Sequence, residues 1–135
     1  MKRIKTMKAV DIGRLGEDEA ARLLKKKKYK ILERNIHLSH NEIDVIAYSK
    51  KDKVRAFVEV KTRSVDSDLY SRFGTPAAAV TKEKQMRTVA AAKSYLRIKP
   101  KYFDAQPRFD VIEIYLDKND MSILKTNHIE NAFGV

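Results

Sequence analysis

The chain of 135 residues contains no cysteine, only three histidines and no long apolar run. The absence of cysteine excludes disulfides, thiolate zinc sites and cysteine nucleophiles, and it suits a reducing compartment. The three histidines, His37, His40 and His128, are too scattered to suggest a zinc site. No segment has the length and apolarity of a membrane span, and the basic N-terminus lacks the apolar stretch of a secretion signal. We therefore expect a cytoplasmic protein that does not bind membranes.

Common nucleotide-binding and hydrolase motifs are missing as well. The segment Gly13-Arg14-Leu15-Gly16 has neither the glycine count nor the preceding strand of a P-loop or a dinucleotide-binding turn. No Gly-x-Ser-x-Gly sequence occurs, so the chain has no nucleophile elbow of the kind found in many serine hydrolases.

Positive charge is abundant and unevenly distributed. The chain has 29 lysine and arginine residues against 18 acidic ones, a formal net charge of +11. Residues 1–30 carry a local charge of +7 and residues 81–101 carry +6, whereas the remainder sums to −2. Solvated helix faces are often rich in lysine, but two basic segments favour a polyanionic partner, because clustered cations gain from counterion release. We therefore expect nucleic acid binding.

Apolar periodicity predicts a single α/β domain over residues 1–135, with residues 1–11 as a flexible basic N-terminus. Leu15 and Leu23 belong to the apolar stripe of a first helix, and Met86, Val89, Ala90 and Leu96 to the inner face of a second helix that Thr81 caps. The order α-β-β-β-α-β-β predicts a mixed sheet flanked by helices, beginning with an antiparallel meander. The predicted elements are helix 12–27, strands 31–38, 42–48 and 54–61, a mobile loop 62–76, a helix from 81 to about 98, and strands 109–116 and 122–129.

The most informative pattern lies in two neighbouring strands. In Val58-Glu59-Val60-Lys61, residues two apart point the same way, so Glu59 and Lys61 share one face of the strand. Asp44 lies in the preceding strand. Two carboxylates, with the main-chain carbonyl of Val60 as a third ligand, suit Mg²⁺ or Mn²⁺. Lys61 beside them could orient or deprotonate a water molecule during phosphodiester hydrolysis.

The same residues also fit a structural ion pair. A Glu-x-Lys sequence is common on the solvated face of an antiparallel strand. Here Phe57 shares the face of Glu59, and Ile46 shares the face of Asp44, so both carboxylates have apolar neighbours. Such carboxylates are costly unless they are compensated, and either a metal ion or Lys61 itself would compensate them. The residues alone leave both interpretations open.

Seven short motifs follow one another along nearly the whole chain. They are Gly13-x-x-Gly16-Glu17-x-x-Ala20, Tyr29-x-Ile31-Leu32-x-x-Asn35, Glu42-Ile43-Asp44-x-Ile46-Ala47, Phe57-Val58-Glu59-Val60-Lys61-x-Arg63, Lys84-Gln85, Arg108-Phe109-Asp110-Val111 and Asn131-Ala132-Phe133. Together they resemble the YraN-like family of uncharacterised bacterial proteins. That family looks like a member of the restriction-endonuclease-like, or PD-(D/E)xK, superfamily, and within it is most similar to archaeal Holliday junction resolvases.

The resemblance implies a restriction-endonuclease-like core, a mixed β-sheet flanked by helices, and an endonuclease that cuts DNA, including branched or junction DNA. It assigns Asp44 and Glu59 as metal ligands and Lys61 as the catalytic lysine. It also matches Glu17 to an acidic residue on the first helix. Periodicity by itself does not distinguish Glu17 from Glu19, and a helix-dipole role for Glu17 stays open.

Six residues are expected to contact nucleic acid. Lys84 and Gln85 match a Lys-Gln pair of the family, and the amides at a helix N-terminus favour anions, although both could simply be exposed helix residues. Arg63 could contact phosphate or pair with one of the carboxylates. The full set is Arg63, Lys82, Lys84, Gln85, Lys25 and Lys26.

Three functions therefore remain open. The first is a Mg²⁺- or Mn²⁺-dependent DNA endonuclease, with RNA as a second conceivable substrate and a homodimer as the form that symmetric cutting would need. The second is a non-catalytic nucleic-acid-binding module that keeps the nuclease fold, and the third is a subunit that binds an acidic protein. One departure from the family concerns the fold: Lys28 stands where the family has glycine, the preferred residue after a helix.

Overall fold

The structure of the protein is a computed structural model that describes residues 9–38, 40–68, 80–99, 101 and 104–134. Its elements are α1 (Ala9–Lys26), β1 (Lys30–Leu38), β2 (Asn41–Ser49), β3 (Val54–Val65), α2 (Lys82–Ile98), β4 (Gln106–Asp117) and β5 (Ile123–Phe133). Across this described part of the chain, no helix is long and apolar enough to cross a membrane.

The five strands form one mixed sheet in the order β1-β2-β3-β4-β5. Strands β1 to β3 are the predicted antiparallel meander, β3 and β4 pair in parallel, and β5 returns antiparallel to β4. Parallel neighbours require a crossover connection, and α2 lies within this one. The predicted α/β class and the order α-β-β-β-α-β-β are confirmed.

Each face of the sheet has its own apolar core. Ala20 and Leu24 of α1 pack with Val58 on one face, and Ala92 and Tyr95 of α2 pack with Phe57 on the other. The central strands are therefore covered on both sides, as is usual for strands beside a parallel pairing. Glu59 follows Val58 and faces the same side as Phe57, so it enters a partly apolar environment.

Several predicted boundaries move. Helix α1 begins at Ala9, so residues 9–11, expected to be flexible, are helical. Strand β3 continues through Thr62–Val65, where a loop over 62–76 was expected, because parallel pairing with β4 extends to Val65 and Asp117. Residues 1–8 of the expected flexible N-terminus and residues 69–76 of that loop lie outside the described residues. Strand β5 runs on to Phe133.

The predicted inner face of α2 is partly wrong. Met86 is 65% exposed, and Ala90 is exposed as well. The buried residues are Thr88, Ala91, Ala92 and Tyr95. The two alanines let the helix approach the sheet, and the longer Tyr95 reaches Phe57 edge-on, with ring centroids 6.1 Å apart. On α1, Leu15 is likewise outside the core, at 38% exposure.

The end of α1 shows how the chain manages without the family's glycine. Lys28 adopts a left-handed conformation with φ 72°. Its N–H donates to the carbonyl of Lys25 at 2.9 Å, and the Tyr29 N–H donates to the carbonyl of Leu24 at 2.9 Å. These two bonds are the Schellman pattern, in which glycine is favoured because a Cβ disfavours positive φ. The helix therefore ends where glycine would end it, at an energetic cost.

Asp110, in the Arg108-Phe109-Asp110-Val111 motif, has an architectural role. The carboxylate is fully buried. It accepts two hydrogen bonds from the Arg108 guanidinium, at 2.8 and 2.7 Å, one from the Asn131 N–H at 3.0 Å and a contact at 2.8 Å from His128 Nε2. Arg108 also donates to the hydroxyl of Tyr29 at 2.6 Å. The network ties β4 to β5 and to the segment that follows α1.

Candidate functional site

The candidate site begins where β2 and β3 stop pairing. The pair at this end of the ladder is Val45 with Val58. The next residue beyond it is Asp44 on β2 and Glu59 on β3. Because the paired residues Ile46 and Phe57 point the same way, Asp44 and Glu59 share a face as well. The Val60 N–H, beyond the end of the ladder, donates to Asp44 Oδ2 at 2.8 Å. The main chain of β3 thus holds the carboxylate of Asp44 beside Glu59.

The other neighbour of β2 is also irregular at this point. Asn35 of β1 has a φ of 50°, a left-handed conformation that asparagine tolerates better than most residues. It lies between the pairs Arg34–Val45 and Ile36–Ile43, opposite Asp44. The Asn35 position of the sequence motif therefore marks a backbone distortion next to the candidate site, which sequence analysis did not predict.

Glu59 is buried, with its side chain 8% exposed, and two lysines flank it. Lys61 Nζ lies 3.5 Å from Oε1, and Lys84 Nζ lies 3.7 Å from Oε2. Both distances exceed the 2.7–2.9 Å of a strong charge-assisted hydrogen bond. The lysines therefore supply positive charge to Glu59 without saturating its oxygens.

Lys84 comes from the first turn of α2. Thr81 is the N-cap, and its hydroxyl accepts a hydrogen bond from the Lys84 N–H at 3.1 Å. The sequence suggested that Lys84 contacts phosphate or is an exposed helix residue, and it did not suggest an ion pair. Its ion pair with Glu59 depends on how α2 packs against the sheet, and the local sequence carries no signal for that.

Asp44 is less well compensated than Glu59 by the residues that the structure describes. Its pKa is raised from 3.8 to about 7, chiefly because burial disfavours the charged form and then because Glu59 lies nearby. The hydrogen bond from Val60 and the charge of Lys84 lower the pKa, but Glu17 adds a further like charge. A nearby cation would therefore stabilise the charged form of Asp44. Perturbed carboxylates of this kind are typical of functional sites.

Glu17 reaches the site because α1 approaches β3 very closely. A Cβ built on Gly16 would lie 1.7 Å from the Thr62 hydroxyl oxygen, so this position accepts no side chain unless the helix moves. Glycine at 16 therefore brings the next residue, Glu17, to the edge of a cleft. The cleft has a volume of about 420 Å³, and Ile12, Gly13, Glu17, Val60, Lys61, Thr62 and Ser64 line it.

The structure also distinguishes Glu17 from Glu19. Glu19 is buried and bound by the guanidinium of Arg22, whose Nε lies 3.1 and 3.0 Å from its two oxygens. Glu17 instead faces the cleft and acts on the pKa of Asp44. Of the two acidic residues that periodicity left open, Glu17 is the one beside the candidate site.

The donor set fits one class of cation better than another. Within the described residues, no three acidic or histidine side chains form a ready-made metal cage. A zinc site would need such a set. Asp44 and Glu59 with the Val60 carbonyl provide fewer, harder ligands, which suits Mg²⁺ or Mn²⁺ because these ions keep several waters and accept substrate oxygens. The uncompensated charge of Asp44 supports this fit.

The remaining residues expected to bind nucleic acid do not all converge. Arg63 is exposed on β3, and the ion pairs of Glu59 come from lysines rather than from it. The Gln85 side chain donates to the Val80 carbonyl at 3.0 Å and so helps to hold the start of α2, where Lys82 is exposed. Lys25 and Lys26 lie at the C-terminal end of α1, eight or more residues and thus about 12 Å along the helix from Glu17.

Comparison with known proteins places the chain in a family. Residues 16–114 match the model of the uncharacterised protein family UPF0102. The chain belongs to UPF0102. A UPF0102 protein of Caldanaerobacter subterraneus subsp. tengcongensis is 44% identical over 122 residues, which cover 90% of this chain and 93% of that protein. A UPF0102 protein of Clostridium perfringens is 44% identical over 124 residues, covering 92% and 94%, and one of Syntrophomonas wolfei is 42% identical over 123 residues, covering 91% and 97%.

Family membership confirms the YraN-like resemblance read from the seven motifs. The matched part of this UPF0102 protein begins at Gly16, which sets the approach of α1, and ends within β4. It includes Glu17, Asp44, Glu59 and Lys61.

Proposed function

We propose that this UPF0102 protein is a metal-dependent endonuclease that hydrolyses phosphodiester bonds in DNA, including branched DNA. The observation that carries the proposal is the pair of carboxylates, half-buried Asp44 and buried Glu59, held side by side with Lys61 next to Glu59. The resemblance to the restriction-endonuclease-like superfamily supports the same assignment, since its signature is an Asp followed by Glu-x-Lys. The similarity to junction resolvases supports branched substrates.

Asp44 and Glu59 would hold Mg²⁺ or Mn²⁺ together with the main-chain carbonyl of Val60. When bound there, the cation supplies Lewis-acid chemistry: it lowers the pKa of water and neutralises charge that develops on phosphate oxygens. Lys61, 3.5 Å from Glu59, orients the attacking water or stabilises that charge. Lys84 holds a second positive charge on the other side of Glu59. Glu17 faces the cleft, where a nucleotide could enter.

A second function has an observation in its favour. Lys61 and Lys84 already supply positive charge to Glu59, so the pair of ion bridges could be structural. The protein would then be a nucleic-acid-binding module of the same fold. Asp44 argues for the enzyme, because a purely structural role would not leave a half-buried carboxylate next to another with no ion-paired lysine among the described residues.

A cleavage assay tests the proposal. The protein is incubated with linear, nicked and four-way-junction DNA in the presence of Mg²⁺ or Mn²⁺, and with EDTA as the blank. Metal-dependent cleavage is expected, and Glu59→Gln or Lys61→Met should each reduce it by about 100-fold or more. Glu83→Gln is the matched control, because it removes a carboxylate from α2 that is 79% exposed and forms an ion pair with Arg87.

The outcome that contradicts the enzyme is equally specific. If no DNA is cut with either metal while the protein binds DNA, and if Glu59→Gln leaves binding unchanged, the binding module is the better assignment. Thermal unfolding of each variant must show that it is folded before its activity is compared.

A further inference from the structure

Three separate basic segments come together at one end of the sheet. Lys30 begins β1 and pairs with Tyr48 near the end of β2, and Val54 at the start of β3 pairs with Gln106 at the start of β4. Helix α1 ends just before β1, and α2 ends just before the segment that leads into β4. Residues 25–30, 50–53, 97–99 and 101 therefore all lie at this end.

These segments hold almost all of the excess positive charge of the chain. They contain eleven lysine and arginine residues and a single acidic residue, Asp52. All eleven are exposed. Outside them the chain has 18 basic and 17 acidic residues, so its net charge of +11 falls to +1 without these segments. Together these eleven side chains form a surface that we call the basic end.

Two of the segments form one continuous surface. The buried Arg55 donates from Nη1 to the Lys99 carbonyl at 3.1 Å, and from Nη2 to the Lys101 carbonyl. This fixes the chain after α2 against β3. Lys30, Lys99 and Lys101 then line one cavity of about 250 Å³ together with Tyr95. Lys30 of the first segment and Lys99 and Lys101 of the third therefore border the same cavity.

The basic end is remote from the candidate site. Lys53 precedes Glu59 by six residues, which in an extended strand is about 20 Å. A phosphate bound between Asp44 and Glu59 is therefore out of reach of the basic end. Cations at such a distance contribute little to the chemistry at the site, because solvent and salt screen them beyond about 8–10 Å.

We propose that the basic end is a separate binding surface for the phosphate backbone of a double-stranded nucleic acid. Helices on both faces of the sheet lie about 10 Å from it, so the surface is about 20 Å across. Duplex DNA carries one negative charge per about 1.7 Å, hence about 12 charges over that length. Eleven exposed cations match this density, which an ordinary acidic protein surface does not reach. The inference holds whether or not the candidate site cuts DNA.

The test measures binding without catalysis. A labelled 30-base-pair DNA duplex is titrated in EDTA at several salt concentrations, and binding is followed by fluorescence anisotropy. The double variant Lys50→Gln/Lys51→Gln removes two charges from the β2–β3 turn of the basic end. Its matched control, Lys118→Gln/Lys125→Gln, removes two exposed charges from the hairpin of β4 and β5. Both variants have the same net charge.

The expected result is a difference between the two variants. The basic-end variant should lower the slope of log K against log salt by about 2 and weaken binding about tenfold or more at 0.1 M salt, whereas the control should change neither. A second variant, Lys25→Gln/Lys99→Gln, should give a similar loss, since it alters the other two segments.

Two results would overturn the inference. One is an equal slope of log K against log salt for the basic-end and control variants, which would show that binding depends on net charge alone. The other is displacement of the duplex by polyglutamate at equal charge concentration, which would point to an acidic protein as the occupant. Failure of the nuclease proposal has a different signature: the basic-end losses would be present, but no DNA would be cut with Mg²⁺.

Discussion

Replacing Asp44 by asparagine should stabilise the metal-free protein at neutral pH. In the folded protein the pKa of Asp44 is raised to about 7 by burial and by the neighbouring Glu59, against 3.8 for an ordinary aspartate. A difference of about three pKa units corresponds to about 4 kcal/mol against the charged form, which is an upper limit because the two carboxylates adjust to one another. Asparagine keeps an oxygen that can accept the hydrogen bond from Val60. We expect a gain of about 1 to 3 kcal/mol.

The sign of the pH dependence follows from the raised pKa. Below about pH 4 Asp44 is protonated in both the folded and unfolded states, so the substitution changes little. Between pH 4 and 7 only the unfolded state loses the proton, and the wild type loses stability relative to the variant. Above pH 7 the difference is constant. For a domain of this size, each kcal/mol of added stability raises the Tm by about 4 °C. The difference between variant and wild type is measured by thermal or urea unfolding from pH 4.5 to 8.

Added metal gives the same experiment a second readout. If Asp44 and Glu59 bind a divalent cation, millimolar Mg²⁺ or Mn²⁺ should raise the Tm of the wild type at pH 7.5 and leave that of Asp44→Asn almost unchanged. The reasoning about Asp44 is refuted if the variant is less stable than the wild type at pH 8 without metal, or if the difference between them is the same at pH 4.5 and pH 8.

Three further predictions concern the elements that build the site. Gly16→Ala should lower the free energy of unfolding by about 1 to 3 kcal/mol or more, because its Cβ would meet Thr62 of β3. Gly13→Ala, whose Cβ would meet no described atom within 4 Å, should raise it by up to about 1 kcal/mol. Similar urea midpoints for the two variants would contradict the close approach of α1. Lys28→Gly should stabilise the protein by about 0.5 to 1 kcal/mol, because glycine adopts a φ of 72° without strain. Lys26→Gly, inside the helix, should destabilise it by a similar amount. Stability changes of the same sign in both variants would contradict the role of Lys28. Burial raises the pKa of Asp110, but hydrogen bonds to Arg108, His128 and Asn131 outweigh it and lower that pKa to about 2. The wild type should therefore lose about 2 kcal/mol as the pH falls from 4 to 2, a loss that Asp110→Asn should lack in acid unfolding curves.

Alternation along the strands was enough to predict the centre of the site. Val58 packs with α1 and Phe57 with α2, so Glu59 and Lys61 do lie on one side, 3.5 Å apart. The position of Asp44 beside Glu59 followed from the predicted hairpin. These relations depend only on the two-residue period of a strand and on antiparallel pairing, which are local properties.

Relations that depend on packing between elements were not predictable in the same way. Lys84 reaches Glu59 because α2 lies closely on the sheet through Ala91 and Ala92, and the same rotation of the helix leaves Met86 exposed. The continuation of β3 to Val65 depends on pairing with β4, a strand more than 40 residues later in the chain. The polar sequence of residues 62–65 carries no strand period.

The two carboxylates of the site differ in a way that bears on metal binding. Glu59 has an ammonium group near each of its oxygens, so a cation that approaches Glu59 must compete with Lys61 and Lys84. Asp44 accepts a hydrogen bond from the Val60 N–H and is influenced by the charge of Lys84, but burial and like charges outweigh both. A cation therefore gains more from Asp44 than from Glu59. Metal binding should therefore lower the pKa of Asp44, and it should weaken the ion pairs of Lys61 and Lys84 with Glu59, which leaves both lysines more available to phosphate.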